Sequence, residues 1–160
     1  MESGNIESIS SETSKITETL LKVVKEHSRG FKETNVNVMK AIISLFLSIS
    51  GYHESREVML RPWISVDGTI LAVQKLSDRK LSILSKELLT RLCVVSKPAL
   101  ILETLSVHIK SSRSPLIHEE ALRWFQSFCN DFGIASVGSI LRDLLVWIVD
   151  VRFLSSFLVR

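Results

Sequence analysis

Seven times along this chain, apolar residues recur at spacings of three and four, and glycine, proline or small polar residues punctuate the runs. A strand would need an alternation of period two, and neither that alternation nor a Gly-rich segment nor an Asn-Gly hairpin occurs. The rhythm therefore restricts the chain to an all-α fold. Between Ser14 and Ser28, Ile16, Leu20, Val23, Val24 and His27 share one side of a helix stopped by Gly30. Asn35 is a good N-cap for a second helix, in which Val38, Ala41, Ile42, Leu45, Phe46 and Ile49 repeat until Gly51. That helix is apolar around much of its girth, which predicts an inner position.

The charged stretch from Tyr52 to Pro62 lacks a period and reads as a longer connection. Ile64, Ile70, Leu71, Val73 and Leu76 outline the third helix, with Asp67-Gly68 obscuring its start. After the break at Ser77 to Lys80, the residues Leu81, Leu84, Leu88, Leu89, Leu92 and Val95 form a fourth. Pro98 opens a fifth, where its missing N–H costs nothing, carrying Leu100, Ile101, Leu105 and Ile109. Ser114 and Pro115 cap and open a sixth, which bears Ile117, Ala121, Leu122, Phe125 and Phe128 and ends near Asn130 and Gly133. Val137, Ile140, Leu141, Leu144, Leu145 and Ile148 begin a seventh.

Helix, short turn, inner helix and connection thus recur about three and a half times. The inner helices start at Asn35, Lys80 and Pro115, spacings of 45 and 35 residues whose mean falls at the lower end of the HEAT/armadillo period of about 40 to 47. The expected fold is an α-solenoid of HEAT-like antiparallel helix pairs over residues 13–150. Residues 1–12 are a Ser- and Glu-rich lead-in, and 151–160 an atypical C-terminal end, read as a truncated repeat.

Charge and chemistry narrow the function. Twenty basic residues nearly balance 17 acidic ones, a net charge of +3 that is too mild and too dispersed to call for nucleic acid. The apolar stretch Ile140 to Val159 is interrupted by Arg142, Asp143, Asp150 and Arg152, which argues against a membrane span. Cys93 and Cys129 lie in apolar helical patterns without metal-site spacing and read as reduced core residues of a cytosolic protein. His118-Glu119-Glu120 lacks the second histidine of a zinc-protease helix, position 122 being Leu. His27, His53 and His108 have no ligand partners at suitable spacing and read as surface or half-buried side chains. No nucleophile elbow or phosphate loop is present. The expectation is a non-enzyme with no cofactor or metal. Trp124 and Trp147 fall in apolar stripes as core residues, and Trp63 beside Pro62 is the exposed one.

Two segments carry a resemblance. Gly30 to Met39, reading GFKETNVNVM, resembles the turn and inner-helix start of TOG domains in the microtubule-polymerase family. Glu119 to Gly133, EEALRWFQSFCNDFG, is similar to that family's later pattern of Glu, an apolar-Trp pair and an acidic-Phe-Gly ending. A TOG domain has six HEAT repeats, so the resemblance implies a partial or truncated one. It further implies a monomeric, cytoplasmic, microtubule- and spindle-associated module whose partner is the tubulin heterodimer or the microtubule, met along the turns inside each repeat. Equivalent turns of a solenoid line up, so Phe31, Lys32 and Asn35, then Asp78, Arg79 and Lys80, then Lys110, Ser112 and Arg113 would form one edge. A row of cations beside an aromatic suits an acidic partner. The alternative is a HEAT scaffold that holds a protein complex without touching tubulin.

Overall fold

The computed structural model describes residues 15–26, 35–133, 142, 143 and 146. Every element among them is a helix: α1 (residues 15–26), α2 (Val36–Ser55), α3 (Pro62–Lys75), α4 (Ser82–Val95), α5 (Pro98–Ser111) and α6 (Pro115–Phe132). Proline at the first position of α3, α5 and α6 explains three of these starts, because the first helical N–H groups have no intrahelical acceptor to lose. Side chains cap two starts. Asn35 accepts from the N–H groups of Asn37 at 3.0 Å and Val38 at 3.4 Å, and Ser114 accepts from Ile117 at 3.4 Å. At the other end of α6, Gly133 takes φ +78° and its N–H reaches the Cys129 carbonyl, a stop that side chains resist because Cβ crowds the backbone there.

The helices stack as pairs in two layers. In one, α1 lies beside α3 and α3 beside α5; in the other, α2 lies beside α4 and α4 beside α6. Contacts between neighbours fix their direction. Glu18 meets Arg61 at 2.9 Å and Lys25 meets Asp67 at 2.7 Å, so α1 and α3 run parallel. Ser82 and Lys86 face Glu120, and Thr90 faces Trp124, so α4 and α6 are parallel too. The Leu60 N–H donates to the Val95 carbonyl at 2.7 Å, setting the α2–α3 connection against the C-terminal end of α4. This is the α-solenoid of helix pairs that the sequence predicts.

A continuous core runs between the layers, built from Met39, Ile43 and Phe46 of α2, Leu71 and Ala72 of α3, Leu88, Leu89 and Leu92 of α4, Ile101 and Leu105 of α5, and Trp124 and Phe128 of α6. Each fully buried leucine or phenylalanine contributes about 1.5–3 kcal/mol of transfer free energy. Gly68 sits in the middle of α3, where a Cβ would come 3.0 Å from Leu92 Cδ1 and 3.1 Å from Phe46 Cδ1. Its absent side chain lets three helices close on one another.

Several boundaries and faces differ from the sequence expectation. Gly51 does not end α2, which continues to Ser55, and the connection shrinks to residues 56–61. Glu57 makes the actual stop. It adopts φ +54° and donates its N–H to Glu54 while Val58 donates to His53, the paired bonds of a Schellman cap. The buried face of α2 also includes Met39, Ile43 and Ser50, whereas Val38 and Ala41 are exposed, a rotation of about one residue imposed by packing on α4. In α1 the buried residue is Leu21, while Ile16, Leu20 and Val23 are exposed, the ion pairs of Glu18 with Arg61 and Lys25 with Asp67 holding the helix against α3. Trp63 is half-buried against the core rather than exposed, since α3 begins at Pro62 and carries it inward. Trp124 is core, as expected. His27, Trp147 and most of the run from Val137 to Ile148 lie outside the described residues, as do residues 1–12 and 151–160. Among the described residues no helix is long and apolar enough to cross a membrane.

Candidate protein-binding edge

Parallel stacking within each layer brings equivalent helix ends together. The start of α2, the turn between α3 and α4, and the turn between α5 and α6 fall on one edge of the solenoid; the α2–α3 connection and the α4–α5 junction fall on the other. Of the residues expected on the first edge, Phe31 and Lys32 lie outside the described residues. Asn35 is there, with its side-chain oxygen engaged in capping α2, so it shapes the edge more than it offers an acceptor to a partner.

The α3–α4 turn is pinned by Asp78. Its carboxylate accepts the Lys80 N–H at 2.8 Å and its carbonyl accepts the N–H groups of Leu81 and Ser82, an Asx-type turn that holds Arg79 and Lys80 on the outside. Both cations are exposed. Lys110, in the last turn of α5, and Arg113, in the α5–α6 turn, are likewise exposed. That turn is stapled by His118, whose Nε2 lies 2.9 Å from the Ser112 carbonyl and 3.1 Å from that of Ile109. Carbonyls only accept, so this ring nitrogen carries the proton. The structural role of His118 had no local signal, because its partners are backbone atoms six and nine residues earlier.

One further exposed apolar residue lies on the same edge. Ile83, one residue into α4, is 77% exposed beside Arg79 and Lys80. It falls off the Leu81, Leu84, Leu88 stripe, so its exposure was legible in the helical period.

Ion pairs and a hydrogen bond line the groove between α4 and α6. Lys86 pairs with Glu120 and holds its carboxyl below the ordinary carboxylate range, while Arg123 pairs with Glu119 at 2.7 Å. Trp124 Nε1 donates to Thr90 Oγ1 at 3.0 Å, closing the groove's floor. Burial pushes the Cys93 thiol up to about 12, so it is inert in the folded state. Among the described residues no cluster of three or more His, Cys, Asp or Glu could hold a metal ion.

Opposite the basic edge lies a different surface. Val58, Met59, Val94 and Tyr52 are exposed around the α2–α3 connection, with Arg56 stacked 5.3 Å over the Tyr52 ring.

These residues define a class of protein: an α-solenoid of helix pairs with a basic edge on one side and an apolar rim on the other. The chain is similar to Protein MOR1 of Arabidopsis thaliana, with 26% identity over 129 residues, 79% of this chain. It spans 6% of that relative's length. No protein-family profile and no solved structure matches the chain.

Proposed function

We propose that this chain is a non-catalytic tubulin-binding module that contributes to microtubule assembly and organisation in the cytoplasm. The observation that carries the reading is the parallel register of the layers, which sets Arg79, Lys80, Lys110 and Arg113 on one edge with Ile83 among them. Cations around an exposed apolar residue suit an acidic protein surface, through charge-assisted hydrogen bonds and steering of the encounter. The resemblance of GFKETNVNVM and EEALRWFQSFCNDFG to TOG domains supports the same reading and implies that Phe31 and Lys32 take part in binding, with Asn35 capping α2. The distant likeness to Protein MOR1 supports a microtubule-associated role.

The mechanism is passive recognition by a rigid edge. A monomer engages a tubulin heterodimer or the microtubule with no nucleotide, metal or nucleic acid taking part. As one of several such modules in a larger assembly it would raise tubulin concentration locally. Co-elution with soluble αβ-tubulin at low and moderate salt tests this, alongside a variant carrying Lys32→Glu, Arg79→Glu, Lys80→Glu and Arg113→Glu. A salt-sensitive complex lost in a fully helical variant supports the tubulin edge; absence of a complex with the folded parent chain sinks it.

A second reading, a HEAT scaffold for a partner other than tubulin, is favoured by the apolar rim of Val58, Met59 and Val94. In that case the four-site charge reversal leaves complex formation intact, and Met59→Asp abolishes it.

A further inference from the structure

The sequence has three prolines, and they differ in what precedes them. Pro62 follows Arg61 and Pro98 follows Lys97, so Ser114-Pro115 is the one step in the chain where a hydroxyl side chain precedes proline. It falls in the α5–α6 turn, on the basic edge, three residues after Ser111 ends α5. The backbone there is extended, with φ −77° and ψ 138° at Ser112 and φ −88° and ψ 113° at Ser114. Arg113, Pro115 and Leu116 are exposed on either side of the half-buried serine.

Ahead of the His118 staple, the backbone from Ser114 to Ile117 is held by long bonds. The Ile117 N–H reaches Ser114 Oγ at 3.4 Å and the His118 N–H reaches the Ser114 carbonyl at 3.3 Å, both long bonds. Pro115 has no N–H to bond. Shifting Ser114 to Ile117 while the His118 ring stays on the Ser112 and Ile109 carbonyls therefore breaks only these two long bonds, and leaves the serine hydroxyl in an extended strand with proline next to it. That is the form in which a proline-directed kinase takes its substrate, since a ring without an N–H leaves no donor unsatisfied in an apolar pocket.

We propose that Ser114 is a phosphoacceptor for a proline-directed protein kinase, and that its phosphorylation weakens the partner-binding edge. In the transfer, Ser114 Oγ forms a bond to the γ-phosphorus of ATP and the bond from that phosphorus to the bridging oxygen of ADP breaks. ADP leaves with the electron pair, and the hydroxyl proton passes to the kinase's base. The product carries about −1.5 to −2 charges at neutral pH, in the turn beside Arg113 and just past the end of α5 that bears Lys110. Those two cations then serve an internal dianion rather than an acidic partner. The N-terminal dipole of α6 favours the phosphate as well, so the helix tightens instead of melting.

The consequence for binding rests on the tubulin reading above, whereas the acceptor site does not. The test treats the purified full chain with a proline-directed kinase and ATP, and locates phosphate by peptide mass spectrometry. A peptide spanning residues 108–120 and a Ser114→Asn variant, which keeps a good helix cap, run in parallel. Expected are one phosphate at Ser114 in the folded chain, none in the variant, and roughly fivefold weaker co-elution with tubulin, about two rim charges' worth. A folded chain that stays unmodified while the peptide is phosphorylated overturns the acceptor site, as does failure of both. Stoichiometric phosphate with unchanged tubulin affinity overturns the switch. If the unmodified chain binds no tubulin, the functional reading fails and the mass measurement still decides the site.

Discussion

Gly68 faces Phe46 across the α2–α3 contact so closely that a Cβ on the glycine would lie 3.1 Å from the phenylalanine ring, and 3.0 Å from Leu92 Cδ1. Both neighbours are fully buried, at 1% and 0% exposure, so neither has open space to move into. Two effects compete in Gly68→Ala. Alanine gains about 1 kcal/mol of helix propensity, and overpacking costs about 1–3 kcal/mol. The expected outcome is a net loss of about 1 kcal/mol in urea unfolding. Gly68→Val, which adds branching, should lose clearly more.

Glu57 holds a left-handed conformation at the position where a Schellman cap favours glycine. The strain is on the order of 1 kcal/mol for a side-chain-bearing residue. Glu57→Gly should therefore stabilise the fold by about 0.5–1 kcal/mol, read as a higher unfolding midpoint at unchanged m-value. A loss of stability would show that the Glu57 side chain contributes more than its backbone costs.

Trp124 is 3% exposed and its indole N–H is met by Thr90 Oγ1 at 3.0 Å. Thr90→Val keeps the shape and removes the acceptor, leaving a buried donor unsatisfied at a cost of about 1–3 kcal/mol. Thr90→Ser retains the oxygen and should cost far less. Thermal unfolding of both variants separates the hydrogen bond from the packing.

Glu120 accepts from Lys86 and lies near Arg123, which lowers its carboxyl pKa in the folded chain. A depressed carboxylate pKa contributes stability above the unfolded-state value, and that contribution is lost as pH falls through the folded-state value. Glu120→Gln should accordingly lower the melting temperature at pH 7 and make no difference in acid, below the folded-state pKa. Melting temperatures of the two proteins should converge as pH drops. A gap that persists at low pH would assign the loss to packing.

Much of the fold was legible because its determinants are local. Asn35 and Ser114 are short polar side chains placed to accept from the first turn of a helix, Pro98 and Pro115 stand at helix starts, and Gly133 ends α6, whereas Pro62, which reads as part of a connection, opens α3. The turn at Ser77 to Lys80 was equally readable, since Asp78 caps it from within. Of the edge residues, Arg79, Lys80, Lys110 and Arg113 are exposed where the repeat pattern put them. Asn35 differs in that its cap function consumes the oxygen a partner would use. Ile83 was overlooked although its place off the leucine stripe marked it.

The remainder depended on neighbours distant in sequence. Gly51 has the composition of a stop, yet the ladder of α2 runs through it because the packing of Met39, Ile43 and Phe46 on α4 favours a longer helix. In α1 the apolar pattern runs through Ile16, Leu20 and Val23, but the side occupied by α3 buries Leu21 instead. Sequence alone determined that this chain forms helices, where most begin, and that they pair as repeats, because period, caps and prolines act within one turn of backbone. Which face of each helix is buried, and that the basic turns share an edge, was decided by tertiary structure. Those outcomes follow from contacts such as Lys86 with Glu120 and Glu18 with Arg61, which join residues more than thirty positions apart.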